Sequence, residues 1–106
     1  MDVNERIRAE LARAPVVLFM KGTPEMPQCG FSAQTAGALR TLGARFHHVN
    51  IFDDPEMRDA LKRMSNWPTY PQLYVKGELV GGCDIALQMY QSGELKTLLV
   101  EAGALS

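Results

Sequence analysis

The stretch that decides the fold runs from residue 16 to residue 32 and has the sequence VVLFMKGTPEMPQCGFS. Its first five residues, Val16 to Met20, are all apolar and predict a buried strand. Residues 21 to 28 contain one glycine and two prolines, which are typical of a loop. The segment from Cys29 to about Leu42 is rich in alanine, and Gly43 is a typical helix terminator. The stretch therefore predicts strand, loop and helix, with a cysteine at the first helical turn.

Further elements are predicted on both sides of this stretch. Before it, apolar residues recur at intervals of four and indicate an amphipathic helix that stops before Pro15. After it, the segment from Arg45 to Ile51 predicts a second strand. A strand, a helix and a strand in this order normally form a parallel pair with a right-handed crossover. The apolar residues of the opening helix are Val3, Ile7 and Leu11.

The second half of the chain predicts helix, hairpin and helix. Asp54 can cap a helix that has Pro55 in its first turn. Strands at Gln72 to Val75 and Glu78 to Gly81 are joined by two residues, as in a hairpin. Asp84 can cap a helix through about Tyr90, and a last apolar stripe follows Ser92-Gly93. The apolar residues of the helix after Asp54 are Met57, Ala60, Leu61 and Met64, and those of the last stripe are Leu95, Leu98, Leu99 and Ala102.

The order α-β-α-β-α-β-β-α predicts a layered α/β domain, and 106 residues with 46% apolar content suit one domain spanning residues 1–106.

The net charge of -1 comes from interspersed acids and bases, so we expect no nucleic-acid partner. The sequence has no signal-peptide pattern and no membrane-length apolar run, so we expect a cytoplasmic protein and no membrane partner. Two cysteines in that compartment are more often thiols or ligands than a disulfide.

Cys29 is the candidate reactive residue, because a helix N-terminus favours a thiolate and Lys21 in the same loop can add a positive charge. A redox pair normally has the spacing C-x-x-C, but the fourth position here is Ser32, which cannot close a disulfide. Two chemistries remain open: one sulfur acting with an external thiol, or metal ligation. Cys83 as a distant resolving thiol and Cys29 as a small buried residue are further alternatives. Consecutive strand residues 47 and 48 point to opposite faces, so this histidine pair is a poor metal site.

Four blocks of sequence carry a family resemblance: Lys21-Gly22-Thr23-Pro24, then Pro27 with Cys29-Gly30-Phe31-Ser32, then Trp67-Pro68-Thr69-Tyr70-Pro71-Gln72, and Gly81-Gly82-Cys83-Asp84-Ile85. They resemble the monothiol glutaredoxins that carry a CGFS motif, and the resemblance covers essentially the whole chain. It implies a thioredoxin-like (glutaredoxin) fold with a four-stranded mixed sheet flanked by helices. It also implies a cis bond between Tyr70 and Pro71 that faces Cys29.

The same resemblance implies a glutathione site. Lys21 and Arg58 would meet the glycyl carboxylate, and Tyr70 would pair with the cysteinyl backbone. Cys83 and Asp84 would hold the γ-glutamyl end. The alternatives are that Arg58 is a solvated helix residue, that Asp84 is only a helix cap, and that the sulfur of Cys83 only packs. Tyr70 departs from the family pattern, which commonly has an aliphatic residue or Phe there.

The resemblance further implies a [2Fe-2S] cluster in a homodimer, held by two copies of Cys29 and two glutathione thiolates. It places the Trp67-Pro68 segment beside the cluster and implies BolA-like proteins and apo acceptor proteins as partners. The expected function is iron-sulfur cluster assembly and transfer. One alternative is a glutathione-dependent thiol-disulfide oxidoreductase that removes glutathione from mixed disulfides through Cys29. Another is a thioredoxin-fold interaction module whose cysteine is incidental.

Overall fold

A computed structural model describes residues 1–105 as a mixed four-stranded sheet with helices on both faces. Two of the five α-helices in these residues begin at a side-chain cap that the sequence contains. Asp2 and Asp54 accept hydrogen bonds from backbone N–H groups three residues ahead, and each begins a helix. The elements in chain order are α1 (Val3–Leu11), β1 (Val16–Met20), α2 (Gly30–Thr41), β2 (His47–Asn50), a 3₁₀ turn (Ile51–Asp53), α3 (Pro55–Ser65), β3 (Gln72–Val75), β4 (Glu78–Gly81), α4 (Cys83–Ser92) and α5 (Glu94–Glu101).

The strands are arranged in the order β2-β1-β3-β4. β1 pairs in parallel with β2, as the strand-helix-strand order predicts, and antiparallel with β3. β3 and β4 form the predicted hairpin, in which both Lys76 and Gly77 adopt positive φ. β1 is thus an inner strand, and its carboxyl end leads into the loop that precedes Cys29.

The sheet has a core on each face, which explains why all five residues of β1 are apolar and buried. Side chains alternate along a strand, so Leu18 packs with α2, α4 and α5 while Phe19 packs with α1 and α3. The ring of Phe19 meets that of Tyr74 edge to face, with 5.5 Å between ring centroids. The sheet is therefore held rigidly between two helical layers.

Three predicted details differ from the structure. The prediction that Asp84 caps the helix running to about Tyr90 is wrong: the N-cap of α4 is Gly82, and Asp84 is its second helical residue. The chain changes from extended to helical at Gly82, so the helix begins earlier than its first carboxylate. Met64 is 45% exposed and lies off the buried face of α3. β2 ends at Asn50, because that side chain accepts the Phe52 N–H and starts a 3₁₀ turn.

The C-terminal region consists of two helices, since Gly93 between α4 and α5 has φ 87°. This agrees with the predicted interruption at Ser92-Gly93. Within residues 1–105, no helix combines the length and the apolar character needed to cross a bilayer.

Candidate functional site

The loop between β1 and α2 is folded back on itself by backbone hydrogen bonds. The Gln28 N–H donates to the Lys21 carbonyl at 2.9 Å, and Gly22 forms a β-bridge with Pro27. Gly22 has φ +90°, and its N–H donates to Oδ1 of Asn50 at 3.0 Å. A Cβ at Gly22 would lie only 2.6 Å from the nearest loop carbonyl oxygen, so glycine is required there. The loop is therefore anchored to the end of β2.

Ser32 connects this loop to α2. Its side chain is fully buried, and its Oγ accepts the Lys21 N–H at 3.0 Å. A cysteine sulfur is a weaker acceptor than a hydroxyl oxygen. Ser32 is thus a structural hydrogen-bonding residue as well as the residue that stands where a second thiol would be.

Cys29 is the N-cap residue of α2, is half-buried and carries a free thiol. The backbone N–H of Ser32 is the largest influence that lowers the pKa of this thiol. The Phe31 N–H, the charge of Lys21 and the Ser32 hydroxyl lower the pKa further, whereas partial burial opposes them. The net effect is a lowered pKa, as expected for a sulfur at a helix N-terminus. The site therefore favours a thiolate that solvent can reach.

Cys29 opens into a cavity of about 540 Å³. The cavity brings together five of the six predicted site residues, which come from three separate parts of the chain. Its wall also includes Phe31, which is 59% exposed, and Trp67. The five predicted residues are Lys21, Cys29, Tyr70, Cys83 and Asp84.

The wall across the cavity is formed by the segment between α3 and β3. The Tyr70-Pro71 peptide bond is cis, as the resemblance implies. The Tyr70 ring is buried, and its hydroxyl donates to the Arg58 carbonyl at 2.7 Å. Burial is also the main cause that raises the pKa of Tyr70 well above its ordinary value. The hydroxyl thus ties this wall to α3, leaving the backbone of Tyr70 for the cavity.

Arg58 is the predicted site residue that the described part of the chain does not place on the cavity wall. Its guanidinium lies over the ring of Phe52, with 5.6 Å from Cζ to the ring centroid. Its buried Nε finds no hydrogen-bond partner among residues 1–105.

Cys83 and Asp84 begin α4 and differ in exposure. Cys83 is 7% exposed, and its thiol donates to Oε1 of Gln34 at 3.5 Å. Asp84 is exposed in the first helical turn. Neighbouring backbone N–H groups can bind an anion there, and the carboxylate of Asp84 can bind an ammonium group. This combination suits an amino acid head group with both charges.

The histidines lie away from this cavity. His47 pairs with Glu10, with 2.5 Å between Nε2 and Oε2. Within residues 1–105 no group of three or more His, Cys, Asp or Glu side chains is arranged to hold a metal ion. A metal centre at Cys29 therefore needs ligands from outside the single chain.

Sequence reasoning did not find three residues that shape the site. Asn50 anchors the loop through Gly22, and Gln34 bonds the Cys83 thiol. Phe31 was noted only as part of a motif, although its exposed ring flanks Cys29. An asparagine that ends a short polar strand, two residues before the 3₁₀ turn residue Phe52, was the available signal for Asn50.

The chain belongs to the glutaredoxin family: the family model described as Glutaredoxin matches residues 16–80. It is similar to Glutaredoxin 4 of Escherichia coli (strain K12), with 52% identity over 100 residues, 94% of this chain and 87% of that protein. Glutaredoxin 4 of Haemophilus influenzae (strain 86-028NP) is 47% identical over 104 residues, 98% of this chain and 97% of that protein. With one cysteine in residues 29–32, the chain is a monothiol glutaredoxin of the Glutaredoxin 4 type.

The fold agrees with this assignment. The solution structure of reduced poplar apo GrxS14 superposes with a TM-score of 0.82 and 45% identity, and the match covers 94% of this chain and 92% of that one. The expected thioredoxin-like fold with a four-stranded mixed sheet is therefore confirmed.

Proposed function

We propose that this monothiol glutaredoxin binds glutathione beside Cys29 and, as a glutathione-containing homodimer, carries a [2Fe-2S] cluster as cargo to apo acceptor proteins. One observation carries the proposal: a single half-buried thiol with a lowered pKa opens into the cavity, while a buried serine stands where a resolving cysteine would be. Such a sulfur can ligate iron or form a mixed disulfide, but it cannot close a disulfide within its own motif.

The cavity wall supports glutathione as the bound tripeptide. Lys21 supplies a positive charge beside Cys29, and Tyr70 presents its backbone from the opposite wall. The first turn of α4, with Asp84, is suited to an amino acid head group that carries both charges. Arg58 lies outside the cavity lining, and its part in binding the glycyl carboxylate is proposed from the family resemblance and its positive charge. The proposed orientation runs from the glycyl end at Lys21 to the γ-glutamyl end at Asp84.

The number of sulfur ligands supports a cluster shared between two chains. A [2Fe-2S] cluster normally has four sulfur ligands, and each chain offers one accessible thiolate. The thiol of Cys83 is buried and bonded to Gln34, so it does not count as a second ligand. Two Cys29 sulfurs and two glutathione sulfurs complete the set. The exposed apolar ring of Phe31 next to Cys29 supports close approach of a second copy.

Anaerobic reconstitution with iron, sulfide and glutathione tests this proposal. We expect wild-type protein to show a [2Fe-2S] absorption spectrum on a species of dimer size, and only when glutathione is present. Cys29→Ala should bind no cluster. Cys83→Ser is the matched control, since it removes one sulfur as well, and it should retain the cluster. A cluster on Cys29→Ala, or none on wild type, would contradict the proposal.

The lowered pKa of Cys29 also favours a second candidate, reduction of glutathione mixed disulfides. The thiolate of Cys29 would attack the glutathione sulfur of R–S–SG, form Cys29–S–SG and release R–S⁻, which takes a proton from water. A second glutathione thiolate would then attack the glutathione sulfur of Cys29–S–SG, releasing oxidised glutathione and the Cys29 thiolate. Rapid turnover of a small mixed disulfide by protein that binds no cluster would favour this function.

Partners and compartment belong to the same proposal. BolA-like proteins are proposed as partners that replace one copy of the chain in a mixed cluster-bridged dimer. The proposed compartment is the cytoplasm, where reduced glutathione keeps Cys29 and Cys83 as thiols. Sizing of an anaerobic mixture of the cluster-loaded chain with a BolA-like protein tests the partner: a mixed dimer that retains the cluster spectrum is the expected result.

A further inference from the structure

Gln72 is a fully buried polar side chain next to the site, and all the main hydrogen-bonding positions of its amide are filled. Nε2 donates to the carbonyls of Trp67 and Thr69, at 3.1 and 3.3 Å. Oε1 accepts from the hydroxyl of Tyr74 at 2.9 Å. Burial of an unpaired amide is unfavourable, so these three bonds explain how a glutamine is tolerated at 0% exposure in β3.

The two carbonyls that Gln72 holds belong to the wall opposite Cys29. Residues 67–71 lie outside the helices and strands, so no regular hydrogen-bond ladder defines their shape. Their start is fixed by the Trp67 N–H, which bonds to Oγ of Ser65 at 3.2 Å. Their middle is fixed by the amide of Gln72. The side chain of Gln72 is therefore one of the restraints that set the positions in which Trp67, Thr69 and Tyr70 reach the cavity.

The chemistry of the amide matches this task. Two backbone carbonyls need two hydrogen-bond donors, and the Tyr74 hydroxyl needs an acceptor. A glutamine amide supplies both from one planar group. Methionine has nearly the same length but supplies neither donor. Gln72→Met therefore removes the hydrogen bonds but keeps most of the volume of the side chain.

We propose that Gln72 is a positioning residue for glutathione: it holds residues 67–71 in the shape that presents the Tyr70 backbone to the tripeptide. This inference rests on the proposed glutathione site. Recognition of a peptide by backbone hydrogen bonds depends on the placement of those groups within about 0.5 Å, so loss of the two restraints weakens binding even in a folded protein.

The test compares Gln72→Met, Tyr74→Phe and the double variant by titration with S-methylglutathione, which cannot react with Cys29. Gln72→Met should raise the apparent Kd about tenfold, since it removes both restraints. Tyr74→Phe removes the bond to Oε1 and the interaction with the Ser65 side chain but keeps both bonds from Gln72 to the carbonyls, so it should change the Kd less than about twofold. In the double variant no Tyr74 hydroxyl is left without an acceptor, so its Tm should exceed that of Gln72→Met while its Kd stays raised.

These readouts separate positioning from stability. The rate at which iodoacetamide alkylates Cys29 should be the same in all four proteins, because α2 and its loop are unchanged. Wild-type affinity in folded Gln72→Met would overturn the inference, and so would a Kd that follows Tm across the variants. If Gln72→Met is unfolded, the double variant decides alone. If wild type itself does not bind S-methylglutathione, the proposed glutathione site fails together with the inference.

Discussion

Replacing Gly22 by alanine should destabilise the protein far more than the same replacement at Gly77, another glycine with positive φ. Alanine at φ +90° is strained by roughly 1–2 kcal/mol. Its Cβ would lie 2.6 Å from the Met26 carbonyl oxygen and 2.7 Å from the Gln28 nitrogen, and such overpacking adds about 1–3 kcal/mol. Alanine also lowers the conformational entropy of the unfolded chain, which offsets about 0.4–1 kcal/mol of this loss. We expect a net loss of about 1–5 kcal/mol in the free energy of unfolding.

Gly77→Ala is the matched control, because Gly77 also has positive φ, at +78°, but no heavy atom of the described chain beyond its neighbours lies within 4 Å of the added Cβ. It should lose about 1 kcal/mol or less. Urea unfolding followed by the fluorescence of the single tryptophan, Trp67, measures both. Equal losses in the two variants would refute the argument from backbone contact. A large loss in Gly22→Ala with an unchanged m-value would support it.

Three further predictions concern the site. Ser32→Ala should lose about 1–3 kcal/mol in urea unfolding, because the part-buried bond from the Lys21 N–H loses its acceptor; a smaller loss would mean that this N–H finds another acceptor. The stability difference between wild type and Cys29→Ser should grow as pH rises from the lowered pKa of the folded thiol to the higher pKa of that thiol in the unfolded chain, and its pH-dependent part should vanish below that window. Denaturation across pH 5 to 9 checks this, and a difference independent of pH would contradict it. Tyr70→Phe should lose about 1 kcal/mol in the free energy of unfolding, since the hydroxyl that donates to the Arg58 carbonyl is removed. An unchanged Tm in thermal unfolding would contradict this.

The elements of the fold could be predicted because their signals are local. Five consecutive apolar residues in β1 require burial on both faces, and that requirement leads directly to helices on both sides of the sheet. Asp54 and Pro55 define the start of α3 without reference to the rest of the chain. The start of α4 was misplaced because Gly82 lacks a capping side chain, and its role depends on tertiary contact. A Cβ there would lie 3.2 Å from Nε1 of Trp67.

The site was predicted in its composition but not in its supports. The resemblance named the residues that line the cavity, and the helix N-terminus gave the physical reason for a reactive Cys29. The residues that hold these groups are buried or distant in sequence: Asn50 reaches Gly22 across 28 positions, and Gln34 reaches Cys83 across 49. Periodicity and caps report neighbours along a helix or strand. They contain no information about which side chains meet from separate elements.

The unequal exposure of the two cysteines makes the unmodified chain a ready single-label protein. A maleimide dye at near-neutral pH meets the half-buried, readily ionised sulfur at residue 29, whereas the sulfur at residue 83 is enclosed and bonded to an amide. Fluorescent or spin-labelled protein can thus be prepared without first removing a cysteine. The attached probe then occupies the mouth of the cavity, where it can test the proposed entry of glutathione and the proposed arrival of a second chain.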